Sequence, residues 1–427
     1  MEHPKAFLPR DLEFNISLLF SFLCLFLGSQ CAKAQRNELL SNKIATLQVT
    51  AGDRWQDLPI ISLNQGEVVN ISFDDLTHEH RRLCYRIEHC EKDWSRSSQI
   101  FDSDYCEGFT EGNTIDNYQQ SINTNQLYTH YRLSIPNDRC QLKLSGNYRV
   151  TVYDEDSNED LLRACFMVLN QKVTVRMALT TNTDIDVNNR HQQLEAEIDY
   201  PSMVVSNPLQ QFYVIALQNQ RWDQAVVAPA PQYIQSTSMR WSHCRDLIFD
   251  GGNEYHKFEI LDVDRPAMGV ERVDWDGKTY HAWLWPDEPR PNYVFDKDAD
   301  GAYYIRNSDN YENDCSTEYV NVHFSLKTPR SPYPIYLNGN WTQDRFLPQY
   351  EMLWNDSTQS YERALWLKQG YYNYQYLQKE RDGAFRPVPS QGNYYQTENS
   401  YQMLVYFQPI GGRTDELVGY ACLENDY

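Results

Sequence analysis

The stretch THEHRRLCYRIEHC, from Thr77 to Cys90, gathers His78, His80, Cys84, His89 and Cys90, all residue types that bind zinc. Their spacing argues against one shared site. Read as a strand from Leu83 to Cys90, Cys84 and Cys90 share a face but lie about 20 Å apart at ~3.3 Å per residue, and His89 points the other way. Zinc ligands must all lie within about 2 to 2.3 Å of the ion. A second stretch, DKDADGAYYIRN, places Asp296, Asp298, Asp300 and Gly301 as in the first half of a calcium loop. Its twelfth position is Asn307, where a bidentate Glu ordinarily closes the coordination. Acidic residues also favour turns for reasons unrelated to metal, so a hairpin turn is the main expectation and calcium the open alternative. The chain contains no nucleophile elbow, P-loop, dinucleotide glycine motif, His-Glu-x-x-His or Cys-x-x-Cys. A carboxylate pair for glycoside hydrolysis would leave no spacing signal among so many acids. The expectation is therefore a non-enzyme with no catalytic residue, metal or cofactor to assign.

The elements that would position any site are strands. IATLQVT, EVVNISF, YTHYRLSI, YRVTVY and LRACFMVL mark a first region, and VTVRMAL, QLEAEIDY, QFYVIALQ, HKFEIL, TYHAWLW and EYVNVHFSL a second. Turn formers such as DEDSNED and DGGNE separate them. Short, regularly spaced strands predict an all-β protein of tandem immunoglobulin-like β-sandwich domains. The Pro-rich joint TPRSPYP, Thr328 to Pro334, suggests the last boundary. The expected organisation is a leader over 1–34 and domains over 35–169, 170–328 and 329–427. Gly146-Asn147-Tyr148 and Gly370-Tyr371-Tyr372 each lead into an alternating strand. Immunoglobulin-like sandwiches use such a tyrosine at a corner, its hydroxyl bonding to upstream backbone, and Tyr148 is expected to do so.

Lys5 and Arg10 precede the apolar run Ile16 to Leu27, which Ala32-x-Ala34 follows. The run is shorter than the roughly 20 residues a membrane span needs but fits an export signal cleaved after Ala34. The first 34 residues contain three basic and three acidic residues, so the processed chain keeps the net charge of −21. That charge argues against nucleic acid and anionic lipid as partners. Eight cysteines follow the leader (ten in the chain, less Cys24 and Cys31), and their irregular spacing leaves the pairing undetermined.

Beyond the joint, PIYLNGNWT, YERALWL, YYNYQYL and YQMLVYFQP resemble the early-set immunoglobulin-like modules found as glycogen-binding domains. Sugar binding would use Trp341 and Trp354, whereas Trp341 and Trp366 packing the core is the ordinary alternative. A more specific resemblance runs from about Ile44 to the C-terminus. YRIEHCEKDW, YTHYRLSIPN, LKLSGNYRVTVY, TNTDIDVNNRHQQ, NQRWDQAV, LIFDGGNEYHKFEI, WLWPDEPR and GNYYQTENSYQMLVYFQP occur in this order. Together they resemble the plug-protein family of the type IX secretion system. The resemblance implies a periplasmic, all-β protein at the inner face of the outer membrane. Its partner would be the translocon barrel, whose empty channel it seals by protein–protein contact. The alternative is an exported carbohydrate-binding or surface-adhesion protein. The resemblance implies no catalytic residue, and the partner-binding face stays unassigned.

Overall fold

A computed structural model describes residues 37–424 of the chain. The expected leader and its cleavage site lie outside the described residues. The described chain is nearly all β, with three- and four-residue helical turns between strands. Its strands form three sandwiches, each around its own hydrophobic core.

The first sandwich draws every strand from residues 38–169. One sheet runs in the order Glu38–Leu39, Asp160–Leu169, Gly146–Asp154, Leu83–Cys90 and Asn113–Thr114, with Ile60–Ser62 added parallel to Asp160–Leu169. The other runs Ile44–Ala51, Val69–Asp75, Thr129–Ile135 and Asn117–Gln120. Alternation explains the facing cores: Val69, Ile71 and Phe73 point inward from one sheet, and Tyr148, Val150 and Val152 from the other.

The expected boundary between 170–328 and 329–427 does not hold. The second sandwich pairs the sheet containing Thr174–Thr180, His191–Asp199 and Ser238–Trp241 with one built on Phe212–Gln218. The neighbours of Phe212–Gln218 include Ser400–Phe407, which in turn pairs with Glu416–Glu424. The last two strands of the chain thus complete a sandwich begun more than two hundred residues earlier. Between Asp250 and Ser400 the chain builds the third sandwich, a ten-stranded sheet containing both Tyr319–Leu326 and Ile335–Asn338. The Pro-rich segment Thr328 to Pro334 joins these two strands inside one sheet. Proline cannot donate to a ladder and so ends a strand, but it does so equally at a domain border and at a crossing within a domain.

Both Gly-x-Tyr corners form. Tyr148 is fully buried, stacks on Phe166 at 5.4 Å between centroids, and donates its hydroxyl to the Leu144 carbonyl at 2.8 Å. Tyr372 repeats the arrangement, donating to the Lys368 carbonyl at 2.6 Å. Both hydroxyls thus reach four residues upstream. Glycine precedes each tyrosine because space is lacking: a Cβ at Gly146 would fall 2.5 Å from the His89 ring, and one at Gly370 2.3 Å from the Tyr304 carbonyl. Gly146 also has φ +138°, which disfavours other residues. Tyr148→Phe is expected to lower stability by about 0.5–1.5 kcal/mol, read as a shift in urea midpoint at unchanged slope. An unchanged midpoint would contradict the corner's energetic role.

Candidate functional site

The third sandwich presents an outer sheet face whose side chains are set by strand alternation. On Tyr280–Leu284, Ala282 and Leu284 face the core while His281 and Trp283 face out; on Tyr319–Leu326, Val322 and Phe324 face in and His323 out. Register then lines up Arg272, Trp283, His323 and Ala364 across four neighbouring strands. The Trp283 and His323 rings stack at 3.7 Å and 10°, and the Arg272 guanidinium sits 4.4 Å from the Trp283 centroid. This stack forms part of a groove of about 1000 Å³, also lined by Leu353, Trp354 and the turn Asp356 to Thr358. Leu353 is 56% exposed, and the buried Trp283 Nε1 has no hydrogen-bond partner.

His281 Nδ1 lies 2.8 Å from His323 Nε2. Burial first, and then the nearby charges of His281 and Arg272, push His323 down to about 4. It is therefore neutral near pH 7 and stacks on Trp283 as an uncharged ring.

A second recess of about 190 Å³ lies where the three sandwiches meet and is lined by Leu58, Glu254, Asp298, Asp300, Glu398 and Glu424, among others. Burial, followed by the charge of neighbouring carboxylates, holds Asp298 well above the ordinary range. Burial raises Asp300 to about 7. Of the residues expected to start a calcium loop, Asp298 and Asp300 share this recess and Asp296 does not. Asp296 pairs with Lys257, and Asp298 accepts the backbone N–H groups of Tyr255 and Asp300. Asn307 is engaged by Ser316. Among the described residues no group of three His, Cys, Asp or Glu could hold a metal ion.

The histidine-cysteine stretch is likewise dispersed. His78 contacts the Tyr128 carbonyl and His80 stacks on Tyr118. His89 uses its two ring nitrogens on Ser97 and the Ser145 carbonyl, while Cys90 lies against Arg149. Cys84 is buried. Of the tryptophans considered for sugar, Trp341 is in the core and donates to the Asn373 carbonyl, whereas Trp354 borders the groove. Trp366 stacks on Tyr319 at 6.2 Å.

The three sandwiches meet through buried polar contacts that the sequence did not announce. Asp74 of the first accepts from Lys368 of the third at 2.7 Å, from Tyr319 at 2.6 Å, and contacts His130 at 2.6 Å. Lys368 also lies 4.1 Å from the centre of the Tyr128 ring and donates to the Asp314 carbonyl. In the second sandwich, Arg221 pairs with Asp223, and the adjacent Trp222 N–H donates to Asp344 of the third. Trp222 also meets Trp94 of the first edge-on at 5.9 Å. Lys92 and Asp415 join the first sandwich to the second. Sequence could have offered only Trp283 and His323, through the alternation in TYHAWLW and EYVNVHFSL.

Residues 44–170, which span most of the first sandwich, match the family described as type 9 secretion system plug protein, first domain. The whole chain is similar to the crystal structure of a hypothetical protein from Parabacteroides merdae ATCC 43184. Identity is 36% and the TM-score 0.88, with 91% of this chain and 99% of that one covered. The C-terminal domain of the Streptococcus pyogenes antigen I/II-family protein AspA aligns at 7% identity and a TM-score of 0.16, over 90% of this chain and 100% of that one, and carries no argument. A search of curated proteins gives no match. Residues 44–170 thus carry the first domain of the type IX secretion plug family, and the chain shares its fold with the Parabacteroides merdae protein.

Proposed function

We propose that this protein is the periplasmic plug of the type IX outer-membrane translocon, closing the periplasmic mouth of the empty channel by protein–protein contact. The supporting observation is the match of residues 44–170 to the plug first domain. A plug-family first domain implies a role in type IX secretion, association with the secretion machinery and an envelope-associated location. Blocking a channel requires shape and stiffness rather than bond chemistry. Buried contacts such as Asp74–Lys368 and Trp222–Asp344 tie the three sandwiches into one compact unit. A seal that releases for cargo calls for an interface nearer the transient than the obligate kind. The Trp283 groove offers an aromatic anchor point of the sort that dominates such contacts. Tagged protein purified from solubilised outer membranes is expected to bring the translocon barrel with it. Recovery of the tagged protein free of any translocon component would contradict the proposal.

The same groove supports a second reading, in which Trp354 meets a sugar ring beside the Trp283–His323 stack. Affinity electrophoresis through soluble polysaccharides separates the two. A sugar binder is retarded and Trp354→Ala abolishes the retardation, whereas a plug migrates as in plain gel.

A further inference from the structure

The short strands Cys106–Gly108 and Cys140–Leu142 form an isolated antiparallel pair in the first sandwich, with Cys140 opposite Gly108 and Cys106 opposite Leu142. The two cysteines are diagonal neighbours in this pair. Their sulfurs lie 2.8 Å apart, unbonded, inside the hydrophobic core. Less than about 1 Å of approach separates that contact from a disulfide of ~2.05 Å. The backbone around the pair is closely fitted: a Cβ at Gly108 would fall 2.1 Å from the Arg139 carbonyl, so the two segments are held tightly together. Beside the pair, Phe101 and Phe109 are 74% and 70% exposed. They flank Asp102–Tyr105, the helical turn that leads directly into Cys106.

We propose that Cys106 and Cys140 are an oxidisable pair that forms an intramolecular disulfide, clamping the segment that presents Phe101 and Phe109. The oxidant is a disulfide compound, small or protein-borne. One cysteine thiolate attacks a sulfur of that disulfide, forming a mixed disulfide and releasing one thiolate. The second cysteine thiolate then attacks the protein-side sulfur and releases the other. Two electrons pass to the oxidant, which leaves as two thiols with the two protons, and one sulfur–sulfur bond joins residues 106 and 140. In the closed fold the contact with Cys140 holds the Cys106 thiol below its ordinary value, against burial. Cys140 is 0% and Cys106 3% exposed, so oxidation takes place during folding or local opening, and the finished bond is shielded from reductants. The envelope location drawn from the family supplies an oxidising setting. The geometry itself does not depend on that location.

The test uses purified wild-type protein, unfolded and refolded in a buffer of oxidised and reduced glutathione, then unfolded again and alkylated without reduction. Mass spectrometry is expected to find two thiols protected, a mass lower by two hydrogens, and a peptide linking Cys106 to Cys140. Dithiothreitol present throughout refolding is expected to give a protein of lower melting temperature than the oxidised one, and to leave that of a Cys106→Ser, Cys140→Ser double variant unchanged. Full alkylation of both cysteines, or their linkage to other partners, overturns the proposal whatever the translocon experiments show. Because the wild-type digest decides by itself, a double variant that fails to fold does not rescue the idea.

Discussion

Lys368→Met is expected to cost about 3–5 kcal/mol of folding stability at neutral pH, the range seen when one partner of a buried ion pair is removed. Lys368 is 1% exposed and its partner Asp74 is 0% exposed. Burial pushes the Asp74 carboxyl up, but Lys368 and His130 outweigh it and hold the group below its ordinary value. Asp74 therefore contributes stability above the unfolded carboxyl range, and that contribution fades as pH falls through its depressed folded value. Methionine preserves much of the lysine's length and apolar bulk, so the loss reports the missing charge and not a cavity. Without Lys368 the carboxylate is left with His130 and Tyr319, and the variant's deficit should shrink as acid neutralises Asp74. Urea unfolding at several pH values measures this. Asp74→Asn combined with Lys368→Met should recover part of the loss, and the double-mutant cycle gives the coupling. A loss below about 1 kcal/mol at pH 7, where an exposed pair would fall, would mean that the contact does not lock the first sandwich to the third.

Asp300→Asn is expected to act in the opposite direction and stabilise the protein above neutral pH. The carboxyl is raised from 3.8 to about 7, first by burial and further by Glu254 and Glu424, against the hydrogen bond from Ser400. Between these values the folded chain keeps a proton that the unfolded chain has lost. Wild-type stability from this group is thus complete below about 4, declines as pH rises, and is lost above about 7. Asparagine keeps an acceptor for Ser400, carries no charge, and tolerates the left-handed φ of +50° at this position. The raised value corresponds to at most about 4 kcal/mol. Asp300 keeps some contact with solvent, which brings the expected gain to roughly 1–3 kcal/mol at pH 8. The gain should vanish near pH 4. Thermal melts across that range test it, and an equal effect at both ends would exclude ionisation as the cause.

Strand content was legible because alternation is local, and the corner tyrosines because Gly-x-Tyr is local too. Sandwich membership was not. Ser400–Phe407 is buried along its whole length because it lies between Phe212–Gln218 and Glu416–Glu424, yet nothing in SYQMLVYF names a partner two hundred residues away. Lys368 ends the strand ALWLK, where a lysine ordinarily reaches solvent. It is buried where the first sandwich meets the third, beside Asp74 and Tyr128. The groove was half legible: the outward positions of Trp283 and His323 follow from strand period, while their stacking depends on a parallel pairing that local sequence does not encode. The metal-like stretches do not gather into one site because their side chains take separate partners, Lys257 for Asp296 and Ser97 for His89 among them.

Closure of a channel is read out in the permeability of the outer membrane. A strain lacking this gene, but with its translocon barrel intact, should admit a large antibiotic that the parent excludes. Restoring the wild-type protein should return the barrier, and removing the barrel as well should abolish the leak. A deletion strain no leakier than its parent would contradict the account.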